Sequence, residues 1–166
     1  VSGLTDSLDY IINNAGVFKP GDSIEKEQNY DDMMMMFNVN SLGCLRVSEV
    51  FLPLLKKGNK KTLCFVSSEA SSLENCKRDS WFGYCLSKTG MNRGVKVLFN
   101  DLHPKGYNFR LLHPGWLKTY MNGYLATEGD MDADEAADKA IDLFFNPLKN
   151  EDEINLIDYN KNIYPW

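Results

Sequence analysis

Thr62-Leu63-Cys64-Phe65-Val66-Ser67 is apolar through its centre and shows no polar alternation. A strand of that kind has both faces covered, as in a parallel sheet packed between helices. The segments on either side agree. Leu8-Asp9-Tyr10-Ile11-Ile12-Asn13 reads as a strand ending in a glycine-containing turn. Tyr107-Asn108-Phe109-Arg110-Leu111-Leu112 reads as a strand stopped by Pro114-Gly115, and Ile154-Asn155-Leu156-Ile157 as another, followed by a polar tail to Trp166. Helical spacing falls between them: Asn29 to Phe37 with its run Met33-Met34-Met35-Met36, Val39 to Lys57 with Pro53 bending the last turn, Ser80 to Asp101, and Asp132 to Phe145. Acidic residues open the last of these and complement its macrodipole. Strands alternating with helices predict an α/β domain of about four parallel strands.

At 166 residues the chain is long enough for one domain with a real core. The net charge is −5 and no basic stripe is present, which argues against a nucleic-acid partner. Lys56-Lys57 and Lys60-Lys61 flank a turn at Gly58-Asn59 and read as a solvated helix end. No apolar run is long enough to span a bilayer, and no charged-then-apolar leader is visible, so no membrane partner is expected. The four cysteines form no Cys-x-x-Cys pair, and Cys44 and Cys64 sit among apolar residues. That usage predicts reduced thiols and a cytoplasmic location. His103 and His113 are not placed to hold a metal, and none is expected. Asp130-x-Asp132-x-Asp134 looks superficially like a calcium loop, but that loop needs glycine and glutamate where Glu135 and Ile141 stand.

Ligands of open α/β sheets bind at the carboxyl ends of the strands. Asn13 and Asn14 close the first predicted strand, Ser67 and Ser68 the second, and His113-Pro114-Gly115 the third. Asn40 opens the helix before the second strand, where it also suits an N-cap. Tyr84 and Lys88 stand four apart near the start of the helix after it, so both face one way. An ammonium beside a phenol favours the phenolate, which makes Tyr84 a candidate proton donor or acceptor. His113 reads as a residue shaping the Pro-Gly turn, and the methionine run as adaptable packing.

In this order and spacing, Asn13-Asn14-Ala15-Gly16, Val39-Asn40-Ser41-Leu42-Gly43, Val66-Ser67-Ser68, Tyr84-Cys85-Leu86-Ser87-Lys88 and Pro114-Gly115-Trp116-Leu117-Lys118-Thr119 resemble the motifs of the short-chain dehydrogenase/reductase family. Trp116, Lys118-Thr119 and Met121-Asn122-Gly123 are similar to its small carbonyl-reductase and C-factor-like subgroup. The resemblance runs from Leu4 to Trp166 and implies part of a Rossmann-like doubly wound parallel sheet. It implies hydride transfer between NAD or NADP and a small carbonyl or alcohol substrate. In that reading Tyr84 is the general acid/base. Lys88 lowers its pKa and holds the nicotinamide ribose, Ser68 bonds the substrate oxygen, and Asn40 anchors a relay water. Pro114, Gly115, Leu117 and Thr119 line the nicotinamide side, while Asn14, Ala15 and Gly16 pass near the adenosine half. Substrate walls are expected from Ser71 to Trp81 and from Thr119 to Met131. Ser71 is the alternative to Ser68, because it lies where shorter members place the serine. The family also implies a homo-oligomer through Val39–Lys57 and Ser80–Asp101, with Val95, Leu98 and Phe99 among the apolar positions.

One departure is large. The family begins with a strand, a Gly-rich turn and a helix that cradle the pyrophosphate, and before Leu8 this chain has Gly3 alone. The expectation is one domain, 1–166, forming the C-terminal portion of a Rossmann-type dehydrogenase, with the N-terminal βαβ cofactor half absent and the strand at Leu8–Asn13 left as an apolar edge. The rival expectation is a non-catalytic remnant acting as an association module. On this reading the isolated chain does not turn over. Its affinity for NADH or NADPH, read by nicotinamide fluorescence, is expected to be weaker than micromolar, and tighter binding overturns the expectation.

Overall fold

The computed structural model describes residues 3–166. Its sheet contains β1 (Tyr10–Asn13), β2 (Thr62–Val66), β3 (Asn108–His113), β4 (Leu156–Asp158) and β5 (Ile163–Tyr164), side by side in chain order. The first four are parallel, and β5 runs antiparallel to β4. The helices are α1 (Tyr30–Phe37), α2 (Gly43–Leu55), α3 (Phe82–Leu102) and α4 (Ala133–Phe145).

The two faces of β2 explain its unbroken apolar run. Leu63 and Phe65 enter a core with Leu55 of α2, with Met91, Val95, Phe99 and Leu102 of α3, and with Phe109 and Leu111 of β3. Cys64 points the other way, into a smaller core with Leu112, Ile157 and Leu143 and Phe144 of α4. Alternation disappears because each face has its own helices.

Several expectations are corrected. The polar tail contains β5, paired through Leu156↔Tyr164 and Ile157↔Ile163, so the described sheet has five strands rather than four. The predicted helix from Val39 to Lys57 does not start at a cap. α1 runs through a π-helical turn at Asn38–Leu42 directly into α2, and Asn40 lies inside that turn. Val95 and Phe99 are buried in the chain's own core, so they present nothing to a second chain. The exposed apolar positions on these helices are Val47, Val50, Leu86 and Val97. Among the described residues β1 is one edge of the sheet and β5 the other, and Ile12 on β1 is 44% exposed.

The methionine run packs α1 onto the first turn of α3. Met36 is buried while Met34 faces out. At Gly83 a Cβ would stand 2.5 Å from Met36 Cε and 3.0 Å from the Met33 Cα, so the helices meet at their backbones. Gly83→Ala is expected to cost about 1–3 kcal/mol of stability in denaturant titration, the usual effect of overpacking.

Candidate active site

The site begins where β2 leaves the sheet. Ser68 is extended and caps a short 3₁₀ turn, Glu69–Ser71, its Oγ accepting the Ala70 N–H at 3.1 Å. The next ordered element is α3, whose first turns carry Tyr84 and Lys88. Lys88 is buried, and its Nζ donates to the Val66 carbonyl at 3.0 Å and lies 5.8 Å from the Tyr84 ring centroid. Ser68, Tyr84 and Lys88 line one cavity of about 490 Å³. Asn14 and Gly16 from the β1 loop line it too, as do Pro114, Gly115, Leu117 and Thr119 from the β3 loop.

Asn40 and Ala15 do not line this cavity. Asn40 is a strut beneath it. Its Oδ1 accepts the Val17 N–H at 2.8 Å, and its Nδ2 donates to the Val17 carbonyl and to Ser87 Oγ, both at 2.9 Å. Both Nδ2 hydrogens and one Oδ1 lone pair are engaged, so a water held by Asn40 would have to use the second Oδ1 lone pair or the main-chain carbonyl, which already accepts the Cys44 thiol at 3.2 Å. The strut fixes Gly16, where a Cβ would sit 3.6 Å from both Asn40 Oδ1 and Lys88 Nζ. A glycine there leaves the floor beside Lys88 open. Ser71 also stays outside the cavity: its Oγ is buried and donates to the Ser68 carbonyl at 2.6 Å. Ser68, not Ser71, shares the cavity with Tyr84.

The β3 loop is held by groups that looked unremarkable in the sequence. His113 Nδ1 accepts N–H groups from Glu69 at 3.2 Å and Gly115 at 3.4 Å, joining the ends of β2 and β3. Both bonds need a neutral ring, and burial lowers the His113 pKa accordingly. Gly115 has φ 87°, and a Cβ there would lie 2.9 Å from the Tyr159 ring. Asp130 Oδ2 accepts the Trp116 N–H at 3.1 Å, and Lys118 pairs with Asp132 at 3.3 Å. The acidic cluster therefore staples this loop.

The cavity has an aromatic side that motif reading missed. Phe18 meets Trp81 edge-on at 4.8 Å and Tyr84 at 5.2 Å. Arg78 sits 4.9 Å over the Trp81 ring and forks onto both Glu69 oxygens at 2.7 Å. Trp81 and Arg78 fall within the wall segment expected from the sequence, and Met121 comes from the other. Phe18 and Trp116 lie outside both, Phe18 two residues after the Asn13–Gly16 motif and Trp116 inside the Pro114–Thr119 one.

Residues 1–130 match the family model for short chain dehydrogenases. The chain belongs to the short-chain dehydrogenase/reductase family. It is 34% identical over 162 residues to C-signal of Myxococcus xanthus, covering 98% of this chain and 95% of that protein. It is 29% identical over 119 residues to an oxidoreductase of Schizosaccharomyces pombe, covering 72% of this chain and 47% of that one. The chain thus spans nearly all of one relative and about half of the other. Among solved structures it resembles the carbonyl reductase Sniffer of D. melanogaster, with TM-score 0.83 and 21% identity over 97% of this chain and 67% of that one. It also resembles an NADPH-bound carbonyl reductase from chicken fatty liver, with TM-score 0.82 and 25% identity over the same shares. The sheet is the Rossmann-like one of this dehydrogenase family.

Burial governs the electrostatics of Tyr84 and Lys88. It lowers the Lys88 amine from 10.5 to about 8. It raises the Tyr84 phenol above its ordinary value, and the Ser68 hydroxyl only partly opposes this. The expectation that Lys88 pulls Tyr84 down does not describe this pair. Desolvation is the largest cause of both shifts and favours both neutral forms. The lysine shift also sets a stability signature. Between about 8 and 10.5 the unfolded chain holds the Lys88 proton and the folded chain does not, so stability gains from this residue as pH rises. Measured by urea unfolding, the wild type is expected to gain on Lys88→Met across that window, with no relative change between pH 6 and 7.

Proposed function

We propose that these residues form the proton-transfer site of an NAD- or NADP-dependent oxidoreductase that interconverts a small carbonyl compound and its alcohol. The observation that carries it is the meeting of Ser68, Tyr84 and Lys88 on one cavity, with a glycine floor at Gly16 and the Pro114–Thr119 loop alongside. That floor fits a nicotinamide ribose within reach of the Lys88 amine, and Asn14, Ala15 and Gly16 would continue toward the adenosine half. NADPH in the chicken carbonyl reductase supports the cofactor class. The dinucleotide, when bound, supplies or takes up the hydride.

The chain's own groups handle the oxygen. Ser68 Oγ already accepts the Ala70 N–H, so its hydrogen is free to meet the substrate oxygen where charge develops. Tyr84 keeps its proton at neutral pH, as a phenol ordinarily does and all the more when burial raises its pKa, and it delivers that proton to the oxygen during reduction. In the alcohol direction its deprotonated form accepts one. Lys88 orients the ribose and holds positive charge beside the phenol. Phe18, Trp81 and Trp116 exclude water from the reacting carbon.

The same proposal includes a cytoplasmic protein with free thiols, and a homo-oligomer through α2 and α3 using Val47, Val50, Leu86 and Val97. Those exposed residues also favour a second reading, an association module without catalysis. No helix among the described residues is long and apolar enough to cross a membrane. Tyr84→Phe separates the two readings. In the full-length protein it is expected to lower carbonyl reduction, followed as NADPH or NADH oxidation, by about 10²–10⁴-fold while nicotinamide binding persists. Unchanged turnover in this variant sinks the oxidoreductase proposal.

A further inference from the structure

Tyr84, Lys88 and Asn92 recur every four residues and lie on one face of α3. The first two reach the cavity. Asn92 is buried behind them and makes two bonds of 2.7 Å: its Oδ1 accepts from Ser67 Oγ, and its Nδ2 donates to Ser71 Oγ. Ser71 Oγ then donates to the Ser68 carbonyl at 2.6 Å. Each serine has one hydroxyl hydrogen, so the direction of the chain is fixed. Ser67 gives to Asn92, Asn92 to Ser71, and Ser71 to the backbone of Ser68. The longer Ser67–Ser71 approach of 3.4 Å has no hydrogen left for it.

We propose that Asn92 is a positioning residue that sets the distance between Ser68 and Tyr84. These two groups belong to different elements, a strand end and a helix. Asn92 is anchored on the helix that carries Tyr84 and grips the strand end on both sides of Ser68. It touches no reacting atom and acts through Ser71. The inference rests on the oxidoreductase reading for its effect on rate, but the tie itself is independent of that reading.

Its loss is tested with Asn92→Leu, which keeps the branched shape and removes both Asn92 bonds, and with Ser71→Ala, which removes the two bonds at Ser71 Oγ and keeps the one between Ser67 and Asn92. Two measurements are made on the full-length protein: reduction of 4-nitrobenzaldehyde as a probe carbonyl with NADPH, and amide hydrogen exchange at Ser71. The Ser71 N–H itself bonds the Ser68 carbonyl at 3.1 Å and therefore reports on the turn. Both variants are expected to exchange at Ser71 at least about tenfold faster, with β2 and β3 amides unchanged. kcat is expected to fall about 10- to 100-fold, with KM for NADPH within about twofold, as misplacement of one reacting group requires. A purely structural role would leave kcat per folded molecule intact. Unchanged Ser71 exchange in the folded variants overturns the tie, and faster exchange with unchanged kcat overturns the positioning role. If the wild type reduces no probe carbonyl, the oxidoreductase reading fails, while Ser71 exchange still decides whether Asn92 makes the tie.

Discussion

A lysine amine out of water is costly unless a polar group receives it. Lys88 meets this requirement at the Val66 carbonyl, at the point where β2 leaves the sheet. The bond pins the second turn of a long helix to a strand end, and helical geometry carries the consequence along the chain. Tyr84 is held one turn before the pin and Asn92 one turn after it. A phenol, an amine and an amide, each needing a defined depth, are thus placed by one anchored element.

The rest of the cavity follows from the parallel sheet. Parallel strands deliver their loops to one edge, and those loops must then be kept from drifting. Here each has its own restraint. Asn40 holds the β1 loop through both backbone groups of Val17, His113 joins the β2 and β3 ends, and Asp130 clasps the backbone of Trp116. None of these three faces a reacting atom in the proposed chemistry. All three make the positions of Gly16, Ser68 and Gly115 reproducible, and a catalytic geometry depends on that.

Signals with a strong local period or a fixed spacing were legible in the sequence. β2 announced itself by having no polar side, and Tyr84 and Lys88 by helical spacing. The element that escaped, β5, is two residues long and has no period to show. In sequence Asn40 suits the opening of a helix besides a relay role, because capping residues and π-turn residues look alike, and only the continuous helix on both sides separates them. Ser68 and Ser71 could not be ranked by spacing alone. The short turn that buries Ser71 under Ser68 is tertiary information, supplied by Asn92 from another element. Val95 and Phe99 were apolar at helical spacing, and sequence cannot say whether such a face meets its own sheet or another chain.

Burial also divides the labour between the two titrating groups. The phenol is raised above its ordinary value and stays protonated through the physiological range. The amine, brought to about 8, is the group whose charge changes closest to neutrality. A rise in pH from 7 to 9 therefore leaves Tyr84 protonated and discharges Lys88. In that span positive charge is lost beside the phenol while the phenol keeps its proton. The same desolvation that makes Lys88 expensive to bury thus makes it the pH-sensitive member of the pair, and Gly16, leaving the space beside it open, exposes that charge to whatever binds there.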